Sequence, residues 1–215
     1  AARPMPGASY IVSSISSISF LSSSPTLSTG VDTNLPGQIK FIEGNCQDDK
    51  CIEQLRNTKF DAILHFAGQS SGEISFDDPV SDLNKSTQST LNLIKYGIEK
   101  KGKKILYASS MSVYGDVPDM PIKEDYPATP IACYGVSKLT SERYLEIFKD
   151  KLPYLNLRMF NVYGPGQDLT NLKQGMVSIF LAQAIDDGRI HVKGNLNRFR
   201  DFIYIDDVVE AWDKL

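Results

Sequence analysis

No acidic residue appears before Asp32. Residues 12–29 are dominated by serine, with scattered Ile, Phe and Leu. Serine lowers helix propensity, so Ile15, Ile18, Phe20 and Leu21 make at best a poor amphipathic helix. Three readings fit this stretch: a targeting segment, a flexible low-complexity end, or a damaged first βα unit. Against targeting, Arg3 is the only basic residue among the first thirty. Histidine and cysteine are scarce too. Two histidines, His65 and His191, and three cysteines without zinc-type spacing leave no metal site to expect. So few cysteines suit a reduced intracellular compartment, read here as cytoplasmic. No apolar run is long enough to span a bilayer. A net charge of −3 gives no general attraction to nucleic acid or to an anionic membrane.

What is present is ordinary for a soluble globular chain: 215 residues, 41% hydrophobic and 23% charged. From 38 onward, strand and helix patterns alternate. Strands are expected at 38–42, 60–67, 104–108, 155–160, 190–193 and 200–204. Helices are expected at 50–56, 78–100, 132–149, 176–186 and 207–215, with Pro79 in a first turn and Asp206 as a cap. The stretches 118–130 and 164–175 read as loops. Asn84-Lys85-Ser86 matches a glycosylation acceptor, but it falls inside an expected helix and reads as chance. The run 60–67, FDAILHFA, is apolar almost throughout, as a central parallel strand buried on both faces would be. Repeated βα units imply an α/β fold with a Rossmann-like, doubly wound parallel sheet. Ligands of such sheets bind beyond the carboxyl ends of the strands. Gly68-Gln69-Ser70, Ser109-Ser110 and Phe160-Asn161 fall there.

Tyr134 and Lys138 form a Tyr-x-x-x-Lys pair inside the helix expected at 132–149. Residues four apart lie on one face of a helix. An ammonium there favours the phenolate and lowers the tyrosine pKa, giving a general acid/base. The pair alone recurs by chance in many amphipathic helices.

Several segments together carry more: HFAGQ (65–69), YASSMSVYGD (107–116), YGVSK (134–138), LRMFNVYGPGQ (157–167) and RFRDFIYIDDV (198–208). With LSTG (27–30) and FIEGN (41–45), they resemble, in order and spacing, the extended short-chain dehydrogenase/reductase family. The branch is that of NAD-dependent nucleotide-sugar epimerases and dehydratases, the UDP-glucose 4-epimerase type. The resemblance implies NAD as cofactor and a UDP-sugar or other nucleotide-sugar as substrate. Tyr134 would be the acid/base, Lys138 the holder of the nicotinamide ribose, and Ser110, five residues before Gly115, the donor to the reacting oxygen. Cofactor contacts carried over are Gly7, Asn45, Cys46, Phe66, Ala67, Gly68, Ser70, Ser109, Tyr134, Lys138 and Phe160. Substrate contacts are Gln69, Ser110, Asn161, Met176 and Arg200, whose guanidinium fork suits a diphosphate. Arg198 reads as exposed strand charge. A homodimer through the helices 78–100 and 132–149 is also implied.

Where dehydratases of this branch place Asp-Glu after the Ser/Thr position, this chain has Met111 and Ser112, which cannot drive elimination. That favours the epimerase reading; a keto-sugar reductase uses the same Ser/Tyr/Lys set. Two departures stand out. The dinucleotide fingerprint needs glycines for its turn and pyrophosphate approach, and 6–13 offers only PGASYIVS, a glycine turn with no strand before it. The family also continues for roughly another hundred residues, a domain-scale length. The expected organisation is a degenerate or disordered first βα unit (1–30), an NAD-binding unit (31–165), and part of a small substrate lobe with returning Rossmann elements (166–215). Such a chain is a piece of a 4-epimerase, or a catalytically silent binding protein of the same lineage.

Overall fold

The computed structural model describes residues 10–13, 17–21, 40–43, 45–58, 60–117, 121–167, 169–170, 172, 175–197 and 199–215. Gly7, Arg198 and residues 168, 171, 173 and 174 of the loop before Met176 lie outside them. Strands β1 (Tyr10–Ser13), β2 (Ser17–Leu21), β3 (Lys40–Glu43), β4 (Ala62–His65), β5 (Lys104–Ser110) and β6 (Tyr154–Met159) form one sheet, ordered β3-β2-β1-β4-β5-β6. β1, β4, β5 and β6 run parallel. β2 is antiparallel to both its neighbours. A second, two-stranded parallel pair joins β7 (Asn161–Tyr163) to β8 (Phe202–Tyr204).

The helices are α1 (Asp49–Glu53), α2 (Ile74–Asp77), α3 (Pro79–Leu83), α4 (Ser89–Glu99), α5 (Cys133–Ile147), α6 (Met176–Asp186) and α7 (Ile205–Asp213). α3 and α4 are one helical run interrupted by a π turn, Asn84–Gln88. Asp78 caps its start, accepting from the Ser81 amide at 2.9 Å, with Pro79 in the first turn.

Strand alternation divides the core. Ile105 and Tyr107 of β5 join Ile63, Leu93, Ile94, Tyr96, Leu145 and Leu152 on the face under α4 and α5. Leu106 and Ala108 point the other way, to Val208 and Trp212 of α7. Helices thus cover both faces of the sheet, as the strand and helix alternation implies. Gly97 allows this contact: a Cβ there would meet Leu152 Cδ2 at 2.7 Å.

Four expectations are corrected. Residues 10–13 form a strand beside β4 rather than part of a glycine turn. Residues 17–21 form a strand, not an amphipathic helix. Only three residues separate β1 from β2, whereas a parallel crossover needs about a dozen, so β2 turns back antiparallel. Residues 190–193 form no strand. Asp206 is not the cap of α7; Tyr204 holds that position, and Asp206 and Asp207 sit in the first turn, where carboxylates favour the helix dipole.

Candidate active site

β5 ends in Ser109 and Ser110, and adjacent strand residues face opposite sides. The Ser109 hydroxyl donates to Glu142 Oε1 at 2.5 Å, inside the protein. Ser110 opens a single 3-10 turn, Met111–Val113, and accepts from the Ser112 amide at 3.2 Å. The Ser110 side chain lies near the Tyr134 phenol and favours its ionised form. The first turn of α5 reaches this strand end because residue 135 is glycine: a Cβ there would lie 2.5 Å from the Ser112 carbonyl oxygen.

Lys138, one turn further along α5, is 4% exposed. Its Nζ donates to the Ala108 carbonyl at 2.7 Å and lies 5.7 Å from the Tyr134 ring centre and 4.9 Å from that of Tyr107. Burial pushes Lys138 down to about 8, against the pull of Asp82 and Glu142. Burial pushes Tyr134 up; the neighbouring Ser110 opposes this and the Asp82 charge adds to it. This corrects the expectation that Lys138 lowers the phenol. The lysine is spent on a backbone carbonyl, and desolvation outweighs it.

Gly68, just after β4, has φ +143°. A Cβ there would meet Ser86 Oγ at 3.1 Å and Lys138 Nζ at 3.5 Å. Ser86 Oγ is buried without a hydrogen-bond partner. A glycine cradle, an unpaired hydroxyl and the Lys138 ammonium therefore converge beside Tyr134, and these groups fit the nicotinamide-ribose end of a dinucleotide. Asn161 reaches the residue after Ser110, its Nδ2 lying 3.9 Å from Met111 Sδ and donating to the Asp201 carbonyl at 2.8 Å.

Other residues are placed differently. The Cys46 side chain is fully buried in the core, and Asn92 Nδ2 holds the Cys46 and Gln47 carbonyls at 3.0 and 2.9 Å. Asn45 is half-buried and accepts from the Gln47 amide at 3.4 Å. Gln69 folds back onto the backbone of Ser71, and Ser70 stays half-buried. Ala67 is buried. The Phe66 ring packs at a tilt on Trp212, 4.5 Å between centres, and Phe160 lines a cleft of about 300 Å³ with Leu157, Asp201, Phe202 and Trp212. Met176 opens α6, and Arg200 donates to the Phe199 carbonyl at 3.0 Å. At the pyrophosphate end the fit fails: three residues between β1 and β2 leave no room for the crossover helix whose N-terminus takes a pyrophosphate in doubly wound folds.

Sequence reasoning missed four supporting groups. Glu142, buried in α5, forms a bidentate pair with Arg158 of β6, Nη2 to Oε2 at 2.7 Å and Nε to Oε1 at 3.0 Å. Asp82 accepts from Ser137 Oγ at 2.6 Å. His65 and Thr90 meet at 2.8 Å, and Thr90 also reaches Ser141 at 3.1 Å. Burial, with the Lys138 charge, holds His65 well below its ordinary 6.5, so it is neutral. The available signal was positional: Ser137, Lys138, Ser141 and Glu142 share one helix face.

A Rossmann-like sheet with Ser, Tyr and Lys gathered at the carboxyl end of a central strand defines a short-chain dehydrogenase/reductase-type protein. The profile of the NAD dependent epimerase/dehydratase family matches residues 18–215, and the chain belongs to that family. It is 30% identical to the UDP-glucose 4-epimerase of Mycolicibacterium smegmatis over 81% of this chain and 56% of the relative. It is 30% identical to human dTDP-D-glucose 4,6-dehydratase over 80% and 49%. The Thermotoga maritima UDP-glucose 4-epimerase with UDP-glucose superimposes with TM-score 0.81 at 33% identity, covering 86% of this chain and 61% of that one. The Thermus thermophilus UDP-glucose 4-epimerase complex with NAD gives 0.78 at 30%, covering 86% and 63%. The chain thus spans from about half to less than two thirds of the length of these relatives.

Proposed function

We propose that the chain carries the catalytic part of a nucleotide-sugar 4-epimerase acting on a UDP-hexose. The observation behind this reading is the Ser110–Tyr134–Lys138 cluster, followed by Met111 and Ser112 instead of acids. Bound NAD would supply reversible hydride exchange with the sugar carbon, and the residues named here would hold it and move the proton. Tyr134 removes the proton of the sugar hydroxyl and gives it back. Ser110 holds the reacting oxygen within reach of that phenol. Lys138 and Gly68 line the nicotinamide-ribose end, where the missing Cβ admits the ring. Residues 31–165 form the NAD-binding unit and 166–215 part of the substrate lobe, with Asn161, Met176 and Arg200 toward the nucleotide. Elimination of water, as in a dehydratase, would need an acid that positions 111 and 112 do not supply.

A catalytically silent binding protein is the second reading, favoured by the short β1–β2 connection. A homodimer through α3 and α5 is supported by Val80, Leu83, Val136 and Ile147, all large apolar side chains exposed there. The thiols of Cys46, Cys51 and Cys133 suit a reducing, cytoplasmic setting. Titration calorimetry with NAD, followed by UDP-galactose, separates the readings. Interconversion with UDP-glucose supports the epimerase; no heat at millimolar NAD supports the silent protein.

A further inference from the structure

The helical run α3–α4 presents to α5 a belt of buried polar groups: Asp82, Ser86, Thr87 and Thr90. The π turn lies in the middle of this belt, a local widening found often at functional positions. Thr87 donates to the Ser137 carbonyl at 3.3 Å, and Asp82 Oδ2 takes the Ser137 hydroxyl at 2.6 Å. Ser137 is the residue before Lys138. Asp82 is 1% exposed, and its Oδ1 is buried with no hydrogen-bond partner.

A carboxylate left half-satisfied in the interior requires an explanation, since an unpaired buried charge is strongly unfavourable. The same holds for a buried ammonium bonded to a neutral carbonyl. The charged and titratable groups around Lys138 narrow the answer. From α5 itself come Tyr134, a neutral phenol, and Glu142, whose charge is matched by the bidentate Arg158. From β4 comes His65, neutral, and from β5 comes Tyr107, kept protonated by burial. From the α3 side comes Asp82, whose other cationic neighbour, Lys85, lies in the partly exposed π turn.

We infer that Asp82 is a positioning residue for the site: it clamps the first turns of α5 through Ser137 and supplies the negative charge that keeps buried Lys138 an ammonium. An asparagine would satisfy the Ser137 hydroxyl equally well but would remove the carboxylate that acts most strongly on Lys138, leaving only Glu142, which Arg158 already pairs. The aspartate is therefore chosen for charge as well as for packing. The inference rests on Lys138 being the cation of the active site, as in the proposed function.

The test is carried out on the whole chain without cofactor, following the side-chain ¹³Cε and ¹⁵Nζ resonances of Lys138 against pH. Asp82→Asn is expected to lower the Lys138 titration midpoint by about one unit or more. Asp82→Glu is expected to keep it closer to the parent value. A midpoint within about 0.3 unit of the parent in a folded Asp82→Asn protein would overturn the inference. The reciprocal measurement covers the case in which Asp82→Asn does not fold. Coupling between two sites is mutual, so Lys138→Met must raise the midpoint of the Asp82 carboxyl, read from its ¹³Cγ. An unmoved Asp82 overturns the inference as well. Both shifts present in a chain without epimerase activity would remove the functional reading while leaving this role of Asp82 standing.

Discussion

Glu142→Gln isolates the contribution of one buried charge to the scaffold of the site. The carboxylate side chain is 6% exposed, whereas its partner Arg158 is 23% exposed. It holds three groups together: Arg158 Nη2 and Nε on β6, and the Ser109 hydroxyl on β5, next to Ser110. Glutamine keeps the volume and can still accept from Ser109. What it removes is the charge opposite a guanidinium that has only partial access to water. Breaking a fully buried pair on one side is destabilising by about 3–5 kcal/mol. The partial exposure of Arg158 lets water recover some of that, which leaves about 2–3 kcal/mol. With an m-value of about 2 kcal/mol per molar urea, the unfolding midpoint should fall by about 1 M. Replacing both partners, Glu142→Leu with Arg158→Met, should recover part of the loss, because no charge then stays unpaired. Urea unfolding followed by far-UV circular dichroism reads all three proteins. A Glu142→Gln midpoint within about 0.2 M of the parent would show that the pair does not hold α5 to the sheet, and would refute this reasoning.

Gly68→Ala should destabilise by about 1–3 kcal/mol, because φ +143° is disfavoured with a Cβ. It should also weaken NAD binding in calorimetry, since the new Cβ meets Ser86 and Lys138; parent-like binding would argue against a cofactor at this edge. Lys138 titrates at about 8 in the fold and at its ordinary 10.5 when unfolded. Below about 8 both states hold the proton and the folded state carries the full penalty of a buried ammonium. Between about 8 and 10.5 the unfolded state binds more protons, so stability rises with pH, by on the order of 3 kcal/mol in total. Urea midpoints of parent and Lys138→Met should therefore converge in sign and slope only outside that window, and parallel curves throughout would contradict the assignment. Val80→Glu combined with Ile147→Glu should shift a dimer to monomer in light scattering if the α3–α5 face is the dimer interface, and an unchanged mass would place the interface elsewhere.

Much of the sheet was legible because its strands are apolar on both faces. FDAILHFA and KILYA have no polar stripe to misread, and β4 and β5 form where the runs lie. The polar α5 was less legible. Its buried side is Ser137, Lys138, Ser141 and Glu142, so hydrophobic periodicity says nothing about which face turns inward. Only contacts from other elements, Asp82, Thr90 and Arg158, explain that burial, and each lies 16 or more positions away in sequence. The electrostatics of the Tyr134/Lys138 pair were misjudged for the same reason. Spacing shows that two groups share a face, but not that a backbone carbonyl from β5 takes the ammonium. The serine-rich start was misread because neither helical nor alternating patterning distinguishes β1 and β2 there; a three-residue connection decided their direction.

Tyr134→Phe tests the central claim most directly. The NAD-loaded chain is mixed with UDP-glucose, and the near-ultraviolet absorbance of reduced cofactor is followed alongside NAD affinity. The account predicts reduced cofactor in the parent and none in Tyr134→Phe, with NAD affinity nearly unchanged. Reduction of NAD by the Tyr134→Phe protein at the parent rate would contradict the placement of the acid/base at the Ser110–Tyr134–Lys138 cluster.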